Sequence, residues 1–555
     1  MKRYLYLSAI WAVSITMTAC GNSANQNMSS NTSVAAASQL FSERDLSGEY
    51  DASKCEQITL SDAGCTSDSS AVAIGQNTVT ITKEGDYIIN GSLSDGMVIV
   101  DVEKSEKVQL ILNGVTIHSE SSAPIYIKKA DKVFVTLAEG TENTLTNGGK
   151  FTAIDDNNID AVIFSKDDLT LNGTGTLIVQ SPSAHGIVSK NELVVTDGTY
   201  EITAASQGLS GKENVAIADG NFAITAGKAA IKSANDDDNT QGNVYIGGGS
   251  FELSAGTDGI NALNEVKIEG GDIKINQSYE GIEARIITIL GGAIELVSSN
   301  DGFNATDKRS TTETNTKETE QEIPGGKMGD TQPDASIQIS GGIVKIDAEG
   351  DGIDTNGYLT ISGGEVYVAG ASHGGDGALD YGIDASISGG IVVAAGQRNM
   401  AQNFGSESTQ GSILINTEES NAADSDIVLV DSDGKELVAW TMKKSYNSVV
   451  ISCPEIAENG TYTVQTGDIS TEVVMDGLIY GQGFEFGGRR PGFGNGEKPE
   501  GMPDLKNGEK PEGMPDFKNG EKPEGMPDFK NGEKPEELPD SKDENSSQER
   551  ASNKL

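Results

Sequence analysis

The residues best suited to chemistry in this chain are carboxylates that recur in register. A six-residue phrase reads TDGINA at 257–262, YEGIEA at 279–284, NDGFNA at 300–305, GDGIDT at 350–355 and DYGIDA at 380–385. Aligned on the glycine, the position before it holds Asp258, Glu280, Asp301, Asp351 and Tyr381. The position two after it holds Asn261, Glu283, Asn304, Asp354 and Asp384, and Asp380 opens the last copy. Three weaker copies upstream carry His185 and Val188, Gln207 and Ser210, and Ala229 and Lys232 at the same two positions. The early copies are neutral or basic, and the later ones are carboxylate or carboxamide nearly throughout.

If such phrases stack, equivalent side chains lie about 4.8 Å apart. Bare carboxylates at that spacing repel by roughly 1–3 kcal/mol per neighbour unless a cation sits between them. Calcium binds oxygen at about 2.3–2.6 Å, so one ion between two carboxylate oxygens matches the repeat, whereas magnesium demands shorter bonds and stricter geometry. The ligand set is all oxygen, and His118, His185 and His373 show no zinc-ligand spacing, which argues against transition metals. The expected site is therefore Ca2+ held among Asp258, Asn261, Glu280, Glu283, Asp301, Asn304, Asp351, Asp354, Asp380 and Asp384. The competing reading is a solvated acidic ladder that only ends strands.

The elements that would position these residues follow from the period. Between copies runs a second phrase: VKIEGGDIKI at 266–275, ITILGGAIEL at 287–296, IQISGGIVKI at 337–346 and LTISGGEVYV at 359–368. Gly186, Gly208 and Ala230 are spaced by 22 residues, and Gly259, Gly281 and Gly302 by 22 and 21. A fixed period of this size marks a solenoid. Alternating apolar residues mark strands with one buried face, and Gly-Gly between two of them supplies a bend. Three short strands and three turns fill one coil, which predicts an all-β parallel β-helix of about a dozen coils. Ile260, Ile282, Phe303, Ile353 and Ile383 should point inward, leaving the acidic positions on the outer surface. Two insertions, 234–242 and 307–334, leave from the same turn and so from one face, often the binding face of a solenoid.

The rest of the chain sets the context. Of 555 residues, 84 are Asp or Glu and 40 Lys or Arg, a net charge of −44. That field makes nucleic acid an unsuitable partner. Only two Trp are present, one of them in the first twenty residues, so flat sugar-stacking platforms are scarce. Lys2-Arg3, an apolar stretch from Leu5 to Met17, and Met17-Thr18-Ala19-Cys20 read as an export signal ending in a bacterial lipobox, with Cys20 as the lipidated residue. The apolar stretch is too short to span a membrane as a helix, so contact with the membrane would be through the lipid anchor only. Cys55 and Cys65 suit a disulfide in an exported chain, and Cys453 reads as a buried small residue. The expected organisation is a signal peptide at 1–19, a flexible tether at 20–38, an N-terminal cap at 39–97, the β-helix at 98–400, a small C-terminal β module at 401–480, and a tail at 481–555. The tail repeats NGEKPEGMPD from Asn495, Asn507 and Asn519, a composition that cannot bury a core and reads as disordered.

Taken together, the Asp-Gly-Ile-Asp phrases, the Ile-x-Gly-Gly-x-Ile strands, the lipobox and the acidic Pro/Gly tail resemble the bacterial surface carbohydrate-binding family over roughly residues 41–480. The resemblance implies a right-handed parallel β-helix similar to polysaccharide lyases, with calcium and acidic or cellulosic polysaccharide as ligands and no established catalysis. It implies a membrane-anchored lipoprotein on the cell surface. Two other functions stay open: a polysaccharide lyase of the pectate-lyase type, with Lys274, Arg285 or Lys308-Arg309 supplying the base, and a surface adhesin or stalk without sugar specificity. Arg285 reads more readily as a surface ladder residue than as a base.

Overall fold

The computed structural model describes residues 40–152, 154–309 and 331–481. The expected signal peptide, the tether, Cys20 and the tail beyond residue 481 lie outside these residues, as does most of the second insertion.

Strands of the Ile-x-Gly-Gly-x-Ile pattern stack in parallel and wind into a solenoid with three faces. The first face is a 13-stranded sheet in which twelve strands, from Thr78–Ile81 to Leu379–Tyr381, run parallel. Val72–Ile74 adds antiparallel to Thr78–Ile81 and closes the sheet edge at that end. In a representative coil, Glu280–Ala284 lies on the first face, Ile286–Ile289 on the second and Ala293–Ser298 on the third. The second and third faces join at the Gly-Gly corner. Gly292 there has φ +88° and a Cβ on it would sit 2.8 Å from the Gly271 carbonyl oxygen, so both backbone conformation and the neighbouring coil exclude a side chain.

The interior is filled by the inward half of each strand. Ile260, Ile282, Phe303, Ile353 and Leu379 form one continuous inward stack with almost no exposure. On the third face, Tyr200, Phe222 and Phe251 stack ring on ring at 5.1 and 4.6 Å. Parallel pairing begins at Glu56–Leu60 against Gly85–Leu93 and, on the first face, at Thr78–Ile81, both within the 39–97 stretch expected to be a cap. Ser42 and Asp45 form a capping box on the short helix Glu43–Leu46. Buried Asp45 then meets Lys132 Nζ at 2.8 Å and accepts from Thr170 Oγ1 at 2.5 Å, pinning this segment along the second face.

At the other end Asp384–Gly396 pairs antiparallel with Tyr446–Ser452, which pairs with Ser412–Asn421. A four-stranded antiparallel sheet completes the C-terminal module. Lys444 ties it back to the solenoid through Asp347 at 2.8 Å.

The expected disulfide is not formed: Cys55, Cys65 and Cys453 are all free and buried. Cys65 packs in the solenoid interior with Ile58 and Leu60, while Cys55 packs with Ile88, Ile111 and Ala138 in a separate cluster. The two thiols fill different apolar clusters, so each behaves as a small hydrophobe.

Candidate functional site

Each strand of the first face is short, so only two outward positions per coil are presented. Strand pairing fixes how they stack. The second outward position runs Ile99, Tyr126, Phe164, Val188, Ser210, Lys232, Asn261, Glu283, Asn304, Asp354 and Asp380. The first outward position aligns Asp258 with Glu280, and Glu280 is followed by Asp301 and Asp351 through the Gly281–Asp301 and Gly302–Asp351 backbone hydrogen bonds.

The last copy of the phrase is displaced from the glycine alignment. Gly352 N–H donates to Gly377 O and Ile353 N–H to Ala378 O, so Gly377, Ala378, Leu379 and Asp380 take the places of Asp351, Gly352, Ile353 and Asp354. Asp380 is therefore in the acidic column, stacked on Asp354. Asp384 is not: it pairs with Tyr358 on the second face. Ile383 is likewise not an inward residue of this sheet. Sequence spacing could not reveal this because residues 370–377 lengthen the coil, while GIDA at 382–385 mimics the phrase one face too late.

The acidic positions also differ from the exposed surface expected for them. Asp258, Asn261, Glu280, Glu283 and Asp301 are buried, and Asn304, Asp351, Asp354 and Asp380 are half-buried. Loops make the difference. Arg309, at the start of the second insertion, donates from Nη2 to the carbonyls of Asn235, Asp238 and Gln241 at 2.9, 3.4 and 3.2 Å. It thus staples both insertions into one rim. The result is a cleft of about 1030 Å³ whose lining includes Lys228, Lys232, Asp258, Tyr279, Glu280 and Glu283.

Along the columns, which run from the cleft at Asp258, Glu280 and Glu283 to the coils beyond it, the carboxylates cap the coil that follows. Glu280 Oε2 accepts the Asp301 N–H at 3.2 Å, Asp301 Oδ1 the Asp351 N–H at 2.8 Å, and Asp351 Oδ1 the Gly377 N–H at 2.5 Å. Amides link the two columns: Asn261 Nδ2 donates to Glu283 Oε2 at 2.6 Å and to Asp258 Oδ1 at 3.2 Å, and Asn300 Nδ2 donates to Glu280 Oε1 at 2.9 Å. Lys308 forms an ion pair with Glu283. Among the described residues no Lys, Arg or His pairs with Asp301, Asp351, Asp354 or Asp380. When they ionise, no cationic side chain among the described residues offsets their charge.

Electrostatics follow from that crowding. Burial, then the charges of Asp301 and Asp258, push Glu280 up to about 7. Burial, then Asp258, also pushes Glu283 up to about 7 against the opposing effect of Lys308. Asp301 rises to about 6 through burial and the charges of Asp376, Asp380 and Glu283. Burial, with Asp354, Asp380 and Asp301 nearby, takes Asp351 to about 9. Asp354 lies well above the carboxylate range for the same reasons, and Asp380 is raised by burial and by Asp376.

These donors suit a hard divalent cation, since they are all oxygen, carry uncompensated charge and are held by backbone hydrogen bonds. They form ladders rather than a cage. Among the described residues no three His, Cys, Asp or Glu gather closely enough to hold a metal by themselves. An ion here needs further oxygens from amides, backbone, water or a ligand. The basic residues considered for lyase chemistry are dispersed. Lys274 is on the third face; Arg285 extends an Asn214–Asn243–Asn264 ladder at the corner of the coils; Lys308 and Arg309 are engaged as described above.

Residues 75–329 match the profile of a family described as carbohydrate-binding domain-containing protein. A protein of Acetivibrio thermocellus with the same description is 39% identical over 135 residues, which is 24% of this chain and 47% of that protein. The chain thus spans about half the length of this curated relative. A solved structure of the polysaccharide lyase-like protein from C. thermocellum, a gadolinium derivative, is 32% identical and covers 46% of this chain and 98% of its own, with a TM-score of 0.39.

Proposed function

We propose that this chain, whose residues 75–329 match the carbohydrate-binding domain family, binds acidic polysaccharide with the help of calcium through the cleft on the first face. The observation that carries this reading is the pair of acidic columns over Asp258–Asp380: stacked oxygen donors, charge left uncompensated at Asp301, Asp351, Asp354 and Asp380, and a loop-walled cleft open to a ligand. The ion would be held by neighbouring carboxylates such as Asp258 with Glu280 or Asp351 with Asp354, assisted by Asn261 and Asn304. Its chemistry is charge bridging, because it shares protein carboxylates with the carboxylates of a uronate chain and so overcomes the repulsion of a −44 protein. With no three carboxylates converging among the described residues, part of the coordination falls to the polysaccharide, which makes binding of ion and sugar cooperative.

The test is a glycan array with and without chelator, followed by retention on insoluble polygalacturonate. Binding should appear with millimolar calcium and vanish with EDTA. Retention unaffected by EDTA removes calcium from the reading, and release of unsaturated oligosaccharides absorbing in the ultraviolet would replace binding by lyase activity. We further propose that the protein is exported and anchored through Cys20. Cys20→Ser should move it from the membrane to the soluble fraction, and continued partition into detergent would refute the anchor.

A further inference from the structure

The acidic columns end abruptly at a coil of opposite character. Residues 228–232 read Lys-Ala-Ala-Ile-Lys. Lys232 stacks directly on Asn261. Lys228 stands at the turn before the strand, where Gly256 N–H donates to its carbonyl at 3.2 Å, and Tyr279 follows Thr257 one coil on through a 2.6 Å backbone hydrogen bond. Lys232 is thus an outward residue of the first face itself, and Lys228 stands at the turn that leads into it. Between them the first outward position is Ala229, where the next three coils carry Asp258, Glu280 and Asp301. All of Lys228, Ala229, Lys232 and Tyr279 line the same cleft.

Three observations set this spot apart. First, neither lysine forms an ion pair among the described residues, in a chain where acids outnumber bases two to one. Nearby Lys190, Lys212 and Lys308 are paired with Asp160, Asp237 and Glu283. Second, the position between them in the chain is Ala229, so no carboxylate stands there to neutralise the pair. Third, Tyr279 is 52% exposed at the cleft wall, an aromatic surface wet on one side and suited to the apolar face of a sugar ring. The lysines lie close enough to act on a neighbour: burial lowers the His185 imidazole, Asp160 opposes it, and Lys190, Lys228 and Lys232 lower it further.

We propose that Lys228 and Lys232 form a carboxylate-binding subsite for one anionic sugar residue of the polysaccharide, with Tyr279 as its apolar wall. The subsite rests on the binding function proposed above and adds a second recognition mode to it. At the Asp258–Asp380 end sugar carboxylates are reached through calcium; at the Lys228–Lys232 end they are met directly by ammonium groups. The direct end adds a contribution to the preference for acidic over neutral chains that does not depend on calcium, and salt screens it.

The test uses the full chain, calcium at a fixed millimolar level, and two polymers with one backbone: polygalacturonate and its fully methyl-esterified form. Lys228→Gln with Lys232→Gln should weaken binding to polygalacturonate by about tenfold, the loss of two partly exposed charge pairs, and leave the ester within about twofold. Lys232→Arg should retain the parent affinity, and an unchanged melting temperature should confirm the fold. Tyr279→Ala should weaken both polymers alike. An unchanged affinity for polygalacturonate in the Gln variant, or an equal loss on the ester, overturns the subsite while the calcium reading stands. A parent protein that binds without calcium but remains sensitive to the lysines removes the calcium reading and keeps the subsite. A parent that binds neither polymer removes both.

Discussion

One column of outward residues on the first face passes through two regions of opposite chemistry. At Ile99, Tyr126, Phe164 and Val188 it is apolar, and Phe151 and Ile159 fold over it so that Tyr126 and Phe164 are fully buried. Tyr126 Oη donates to Asp155 Oδ2 at 2.8 Å and fastens that cover. Four coils beyond Val188 the same column is Glu283, then Asn304, Asp354 and Asp380. Where the column passes Lys232, Asn261 and Glu283 the loops stand apart as walls and leave a cleft. Backbone pairing and inward packing are alike in both regions, so the solenoid holds its fold with one side of each strand and leaves the other side free to become a sealed patch or a site.

The comparison can be broken most sharply at the apolar end. Phe164→Ala removes a side chain that is 1% exposed and should destabilise the protein by about 3–5 kcal/mol. Polygalacturonate retention per folded molecule should stay unchanged, as followed by chemical denaturation beside a pull-down. Loss of retention in protein that is still folded would mean that the early coils belong to the site.

At the acidic end the pattern should invert. Asp258→Asn, Glu280→Gln and Asp301→Asn together should reduce calcium-dependent retention by at least about a hundredfold, since even one or two lost charge-assisted contacts at about 1.5–3 kcal/mol each suffice for that. The melting temperature in EDTA should not fall, because the charges removed repel one another. Ser210→Ala, on a neutral coil of the same column, is the matched control. Full retention by the triple variant would place the site elsewhere.

The smallest effect concerns pH. Glu280, Glu283, Asp301 and Asp351 stand at about 7, 7, 6 and 9 in the folded protein, against unfolded values near 4. Between those limits the folded state holds more protons than the unfolded chain, so stability falls as pH rises. In EDTA the melting temperature should be several degrees higher at pH 5 than at pH 8, and calcium should flatten the slope by neutralising the same groups. A melting temperature that rises with pH in EDTA would show that these carboxylates are relieved in some other way.

Much of the solenoid is legible in the chain. Alternation such as Val266, Ile268, Ile273 and Ile275 reports inward packing, because period two is a local property of a strand. The Gly-Gly corners are equally local. Register is less so. Gly382 repeats the letters of the phrase, yet Ala378 occupies the structural position, since hydrogen bonds to Gly352 and Ile353 decide which residue stacks. The cysteines fail for a related reason. Nine residues between Cys55 and Cys65 permit a disulfide, but the two thiols belong to different apolar clusters.

The sequence by itself determined the coil, its period, its inward stack and the change from neutral to acidic along one face, all of which follow from residues close together in the chain. The tertiary structure alone decided that the acidic positions are buried or half-buried rather than exposed, that Asp380 joins them and Asp384 does not, and that Lys228, Lys232 and Tyr279 share a cleft with Asp258, Glu280 and Glu283. Burial depends on loops stapled by Arg309 across some seventy residues, and stacking depends on hydrogen bonds between successive coils, neither of which leaves a local mark in the order of amino acids.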